Sequence, residues 1–224
     1  MDKLCYIFLY FVFYSIIGYV CEVFYVYLGD KKWVNRGFLH GPYIPIYGNG
    51  AMIVSLALMH VKKDSFIIFL VGLVLCSLLE YITSYVMEKI FHNRWWDYSE
   101  RKYNSNGRVC LQNSVLFGLG SVAIIYVFNP LFNKLYNALG FKTALYVAIV
   151  LFIIMLVDFS ISFFEAIKVS NIASHLDKFM EEFEKKKEST KRIKIRLMEA
   201  YPYLVKRNFK FLDKIKNYKK KSKN

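Results

Sequence analysis

Residues 4–28 read LCYIFLYFVFYSIIGYVCEVFYVYL, and one charge, Glu22, stands among those 25 positions. A bilayer core of ~30 Å is crossed by about 20 helical residues. Helices buried in soluble cores average ~11–12, so this stretch is too long for one. It also exceeds the ~7–15 apolar residues of a secretory leader. Its only basic flank is Lys3 and no small-residue cleavage pattern follows, so the segment is expected to stay in place. The first helix therefore predicts a membrane protein.

The same pattern recurs along the chain. Residues 65–87 hold only Glu80, and residues 143–164 hold only Asp158. Residues 38–61 and 109–128 are apolar but softened by Gly, Asn, Ser and Pro. Five spans are predicted: 4–28, 38–61, 65–87, 109–128 and 143–164. The whole 224-residue chain is 56% apolar and 18% aromatic, yet carries a formal charge of +14, with a mean hydropathy of +0.28. Greasy and basic parts must be segregated, and disorder of most of the chain is excluded by its hydrophobicity. Cys5, Cys21, Cys76 and Cys110 lie in or beside apolar runs without a CxxC, which excludes a disulfide scaffold. The predicted fold class is an all-α integral membrane protein. Residues 1–167 form a five-span bundle with a broken second span, and 168–224 form a basic cytoplasmic tail.

Lysine and arginine set the orientation. One side, comprising loops 29–37 and 88–108 and everything after 167, holds 26 of them, and the other side holds five. The N-terminus is expected outside the cell membrane and the C-terminus in the cytoplasm. The tail has 18 basic and 7 acidic residues. Ile172, Leu176, Phe179 and Phe183 form one apolar stripe at helical spacing, and Leu204, Leu212 and Ile215 line a shorter one beyond Pro202. Such a tail suits anionic lipid headgroups, each nearby Lys or Arg contributing about 1 kcal/mol. No nucleic-acid recognition motif accompanies it, so no nucleic-acid partner is expected.

Polar residues inside the spans gather at one depth. Glu22, Glu80, Asp158 and Glu165 all fall toward the cytoplasmic ends, and Arg108 opens span 4 from that side. At 100° per residue, Ser15, Gly18 and Glu22 share a face, as do Glu80, Ser84 and Glu88, and Asp158, Ser162 and Glu165. Ser114, Gly118 and Ser121 do the same in span 4. Faces of this kind are used for helix packing, while ionisable groups within spans face a bundle interior or a wet cavity.

Two segments carry most of the candidate site. Residues 35–51, NRGFLHGPYIPIYGNGA, contain two prolines and four glycines, so a regular helix is expected only after Pro45. Its exposed N-terminus would offer backbone donors toward the same layer. The inner loop 88–108, EKIFHNRWWDYSERKYNSNGR, brings Trp95 and Trp96 to headgroup level and supplies arginines that either grip an anion or pair with Glu22, Glu80 or Glu88. The candidate ligand-binding residues are Glu22, Asn35, Arg36, His40, Tyr47, Glu80, Glu88, Trp95, Trp96, Asp97, Tyr98 and Arg108. No catalytic set is assigned. There is no P-loop, HExxH or GxSxG, and His40, His60, His92 and His175 are scattered, so neither a metal nor another cofactor is expected.

Four pieces together resemble a known family: Gly18 to Glu22; Trp33-Val34-Asn35-Arg36-Gly37-Phe38-Leu39-His40-Gly41-Pro42 running on to Pro45-Ile46-Tyr47-Gly48; Glu80 to Glu88 continuing into Trp95-Trp96-Asp97-Tyr98-Ser99; and Gly107 to Leu111 with Ser114 to Gly118. Over roughly residues 15–165 the chain resembles the CmpB-like multi-span membrane proteins described as "putative ABC-transporter type IV". The resemblance implies a permease-like subunit, which needs a separate ATPase. With the residues above, the expected function is handling an anionic or amphiphilic ligand at a cytoplasm-facing cavity. The alternatives are an enzyme modifying a lipid headgroup, with Glu22 or Glu80 as base, and a non-catalytic membrane interaction protein.

Overall fold

A computed structural model describes residues 2–31, 33, 35, 37–58, 64–91 and 94–179 of the chain; the side chains of 2, 29, 30 and 170–179 are outside that description. Arg36, His60, His92 and the chain beyond Phe179 therefore lie outside the described residues, as do the side chains of His175 and of the apolar tail stripes.

The described chain is helical apart from short loops and one hairpin. The helices are α1 (Asp2–Asp30), α2 (Pro45–Ala57), α3 (Ser65–Phe91), α4 (Leu111–Ala123), α5 (Asn129–Leu139) and α6 (Phe141–Phe179). In lipid every backbone polar group must be satisfied within the protein, which makes helix the default for such sequences. Four helical stretches are long and apolar enough to cross a membrane: Lys3–Leu28, Ser65–Phe91, Leu111–Leu139 and Phe141–Val169. This is a helical membrane protein.

The region expected as a second span, 38–61, contains the 13-residue helix α2. At 1.5 Å per residue it is roughly 20 Å long, short of a ~30 Å core. Pro45 occupies its first turn, where a missing N–H is harmless.

The third long stretch runs past the expected boundary at 128. A proline in a helix interior removes a donor and crowds the turn before it. Here a π-helical turn, Ile124–Phe128, widens the backbone ahead of Pro130, and the helix continues as α5 to Leu139. Gly140, at φ +68°, then reverses the chain into α6 within a single residue, a conformation that glycine adopts without steric cost.

α3 pairs with α4, and α1 pairs with α2, through small residues. A Cβ on Gly72 would strike the Ser121 side chain, and one on Gly118 would strike the Phe69 ring. On the other pair, Gly18 lies under the Tyr47 ring, and Gly48 lies against Ser15 and the Phe11 carbonyl. The small-residue stripes of spans 1 and 4 are thus helix–helix contact faces. Away from these contacts, Leu70, Val74, Leu78, Ile82, Val86 and Ile90 form an exposed ridge along α3. Apolar surface on this scale matches lipid rather than water.

The segment between α3 and α4 is a folded cap. It carries a two-stranded antiparallel hairpin, β1 (Asn104–Ser105) and β2 (Val109–Cys110), with Asn104 opposite Cys110. Gly107 turns it at φ +67°, and a Cβ there would run into Asp97 and Ser99. Trp95 is buried with Phe91 and Ala166, its ring edge-on to Phe38.

Candidate functional site

At the end of the bundle nearest the cap, four helices and the cap bring acids and hydroxyls together. Tyr47 of α2 donates its hydroxyl to Glu22 of α1 at 2.6 Å. Tyr98 of the cap donates to Glu80 of α3 at 3.1 Å, and Asn113 of α4 donates to the Tyr98 oxygen at 2.7 Å. The two pairs sit on packed helices, since Gly50, one turn on from Tyr47, faces Cys76 and Leu79, and Leu79 precedes Glu80. Burial, then the Glu80 carboxylate, push the Tyr98 hydroxyl above its ordinary range, so it remains a proton donor. Glu80 is only 6% exposed, and its second oxygen, Oε2, is buried with no hydrogen-bond partner among the described residues.

The arginine expected to share this site is engaged elsewhere. Arg108, buried, places its guanidinium 2.8 Å from Glu88 and over the rings of Tyr81 and Tyr85. Arg94 takes the same Glu88 carboxylate at 3.0 Å and holds the Asn106 carbonyl. One glutamate thus pairs with two arginines, Arg94 also standing 3.9 Å from Asp97, and together they clamp the cap to α3. A planar guanidinium can serve a carboxylate and stack on aromatics at once, which a lysine cannot.

His40 belongs to a third group. Its Nδ1 stands 3.0 Å from Asp158 and 2.8 Å from Ser162, and its Nε2 stands 3.2 Å from Glu165. Asp158 also accepts from the backbone N–H groups of His40 and Gly41 and from the Tyr43 hydroxyl. One carboxylate on α6 therefore satisfies three donors of the irregular segment that leads into α2 and touches the His40 ring as well. This answers how a non-helical chain is tolerated inside a membrane protein.

Of the twelve sequence candidates, Glu22, Tyr47, Glu80 and Tyr98 meet in one cluster. Glu88 and Arg108 form the clamp, and His40 joins the Asp158 group. Asn35 is local, accepting from the Gly37 N–H and donating to the His40 carbonyl. Asp97 receives the N–H and hydroxyl of Ser99. Trp96 donates to the Arg108 carbonyl within the cap, and Trp95 is buried against Phe91 and Ala166. Arg36 lies outside the described residues.

Sequence reasoning missed Asn113 and Tyr43. The only signal for Asn113 was an amide beside Gln112 in the first turn of α4, masked by the small-residue face that begins at Ser114. It also missed a polar ladder at the opposite end. There Tyr10 and Tyr14 both donate to Asn129 at 2.7 Å, and Tyr6 donates to Asn133 at 2.6 Å. Tyrosines in an aromatic-rich helix give no hint of which partners they will find.

A family model described as "Putative ABC-transporter type IV" matches residues 9–163. No curated protein and no solved structure matches the chain.

Proposed function

The chain belongs to that family, and from this premise we infer that it is the membrane-embedded, permease-like subunit of a transporter whose ATPase is a separate chain. The observation that carries the reading is the Glu22–Tyr47–Glu80–Tyr98 cluster. Four separate parts of the chain converge on it, and all its members fall within the family match. Ionisable groups inside a membrane domain are costly and mark ligand or ion pathways.

In this reading the second apolar region completes a fifth span, with its irregular entry held by Asp158. The asymmetry of Lys and Arg puts the N-terminus outside and the tail in the cytoplasm, where its 18 basic residues attract anionic lipid headgroups. The site then faces the cytoplasmic leaflet. The geometry favours an amphiphilic ligand over a simple anion, because Arg94 and Arg108 are committed to Glu88.

The test is coupling to ATP. The full chain, tagged and purified from its own cell envelope with associated proteins, is expected to bring a P-loop ATPase whose hydrolysis rate falls several-fold with Glu80→Gln. A well-folded preparation that carries no ATPase, or one whose hydrolysis ignores Glu80, rejects the reading.

A further inference from the structure

The cluster at Glu22 and Glu80 holds two carboxylates and two phenols. Each phenol donates its one proton to an acid, and the single amide, Asn113, donates to the Tyr98 oxygen. Among the described residues, no lysine, arginine or histidine pairs with either acid; Arg94 and Arg108 are held by Glu88, and His40 sits against Asp158 and Glu165. The two acids also differ. Glu22 is part-exposed at the bundle surface and accepts from Tyr47, whereas Glu80 lies inside with Oε2 buried and unpartnered. A buried oxygen of this kind is costly to leave without a donor.

We propose that this site binds the ammonium head of a single-chain amphiphile, with the Glu80 Oε2 oxygen as its anchor. The inference rests on the transporter reading of the same site and adds the charge of the ligand. An ammonium brings three N–H donors on one positive centre, which suits a carboxylate oxygen flanked by phenol oxygens. The Tyr47 and Tyr98 rings add faces that attract organic cations. A bare metal ion fits less well, because no group of three His, Cys, Asp or Glu suited to a metal is found among the described residues. An amphiphile is favoured over a water-soluble amine by the approach. Val20 and Phe24, which flank Glu22 on α1, are exposed, so a tail can lie along this apolar face of α1 while its head reaches the acids beside α2.

The experiment uses the purified full chain in a non-ionic detergent, titrated with hexylammonium, hexyl phosphate and hexanol, with the thermal unfolding midpoint as readout. Hexylammonium should raise the midpoint saturably, and the other two should not. Glu80→Gln should weaken the hexylammonium response at least tenfold. Glu80→Asp, which keeps the charge on a shorter arm, should fall between them and serves if the glutamine variant does not fold. Hexyl phosphate acting as strongly as hexylammonium, or an undiminished response in Glu80→Gln, overturns the proposal. Loss of hexylammonium binding with a coupled ATPase still present sinks the cation site alone. Binding without any ATPase sinks the transporter reading instead.

Discussion

The Tyr98 hydroxyl donates to a Glu80 carboxylate oxygen 3.1 Å away, so a residue of the cap closes onto a membrane helix eighteen positions earlier in the chain. The same hydroxyl accepts from Asn113 on the next helix. Cap, α3 and α4 are therefore tied at one atom, and that atom belongs to the candidate site.

Removing that atom should be felt in both places. Tyr98→Phe removes this donor from Glu80, and a hydrogen bond of this kind contributes about 0.5–1.5 kcal/mol. A lower unfolding midpoint in detergent is expected, together with at least a tenfold loss of coupled ATPase. In a double-mutant cycle with Glu80→Gln, the coupling energy should be about 1 kcal/mol or more. Additive effects would show that the two side chains do not act as a pair.

The clamp should behave as a buried ion pair. Breaking one by deleting a single partner costs about 3–5 kcal/mol. Arg108→Met strands Glu88 with Arg94 alone and removes the guanidinium from Tyr81 and Tyr85. It should lower the melting temperature less than Glu88→Gln, which leaves Arg94 and Arg108 together without their shared carboxylate. Circular dichroism melts in detergent measure this directly.

The α1–α2 contact allows no side chain at Gly18, because a Cβ there would occupy the Tyr47 ring. Overpacking of a tight contact typically costs about 1–3 kcal/mol. Gly18→Val is expected to reach or exceed that range and to displace Tyr47 from Glu22. A tenfold weaker hexylammonium response would report the displacement. A melt and a response like those of the unaltered protein would show that α1 and α2 are not packed this closely.

Gly107 should be needed for the cap. It combines φ +67° with no room for a Cβ beside Asp97 and Ser99, and an alanine there faces strain of about 1 kcal/mol or more. Gly107→Ala should leave the helices inserted but make the 97–107 segment several-fold more sensitive to brief proteolysis. Equal cleavage rates would contradict the hairpin geometry.

The long apolar helices are legible in the sequence, because lipid demands only length and the near absence of charge, and both are local properties. The small-residue faces were legible too, since helical phase alone puts Ser15 with Gly18 and Ser114 with Gly118. The hairpin after Tyr103 was not. Two residue pairs carry no period to detect, and the turn depends on Gly107 fitting beneath Asp97. Nor was the continuation through Pro130, because a proline normally stops a helix and nothing local announces a widened turn.

Sequence alone determined that this chain enters a membrane as helices with its acids gathered at one end, because hydropathy and residue spacing are written along a single strand. It could not say which acid takes which cation. Arg108 lies within plausible reach of Glu22, Glu80 and Glu88, and only the folding of the cap onto α3 delivers it to Glu88. That choice leaves Glu80 facing the tyrosines with an oxygen to spare. Pairing between groups far apart in sequence is set by three-dimensional packing, and an ion pair depends on distances of a few ångströms that no linear pattern encodes.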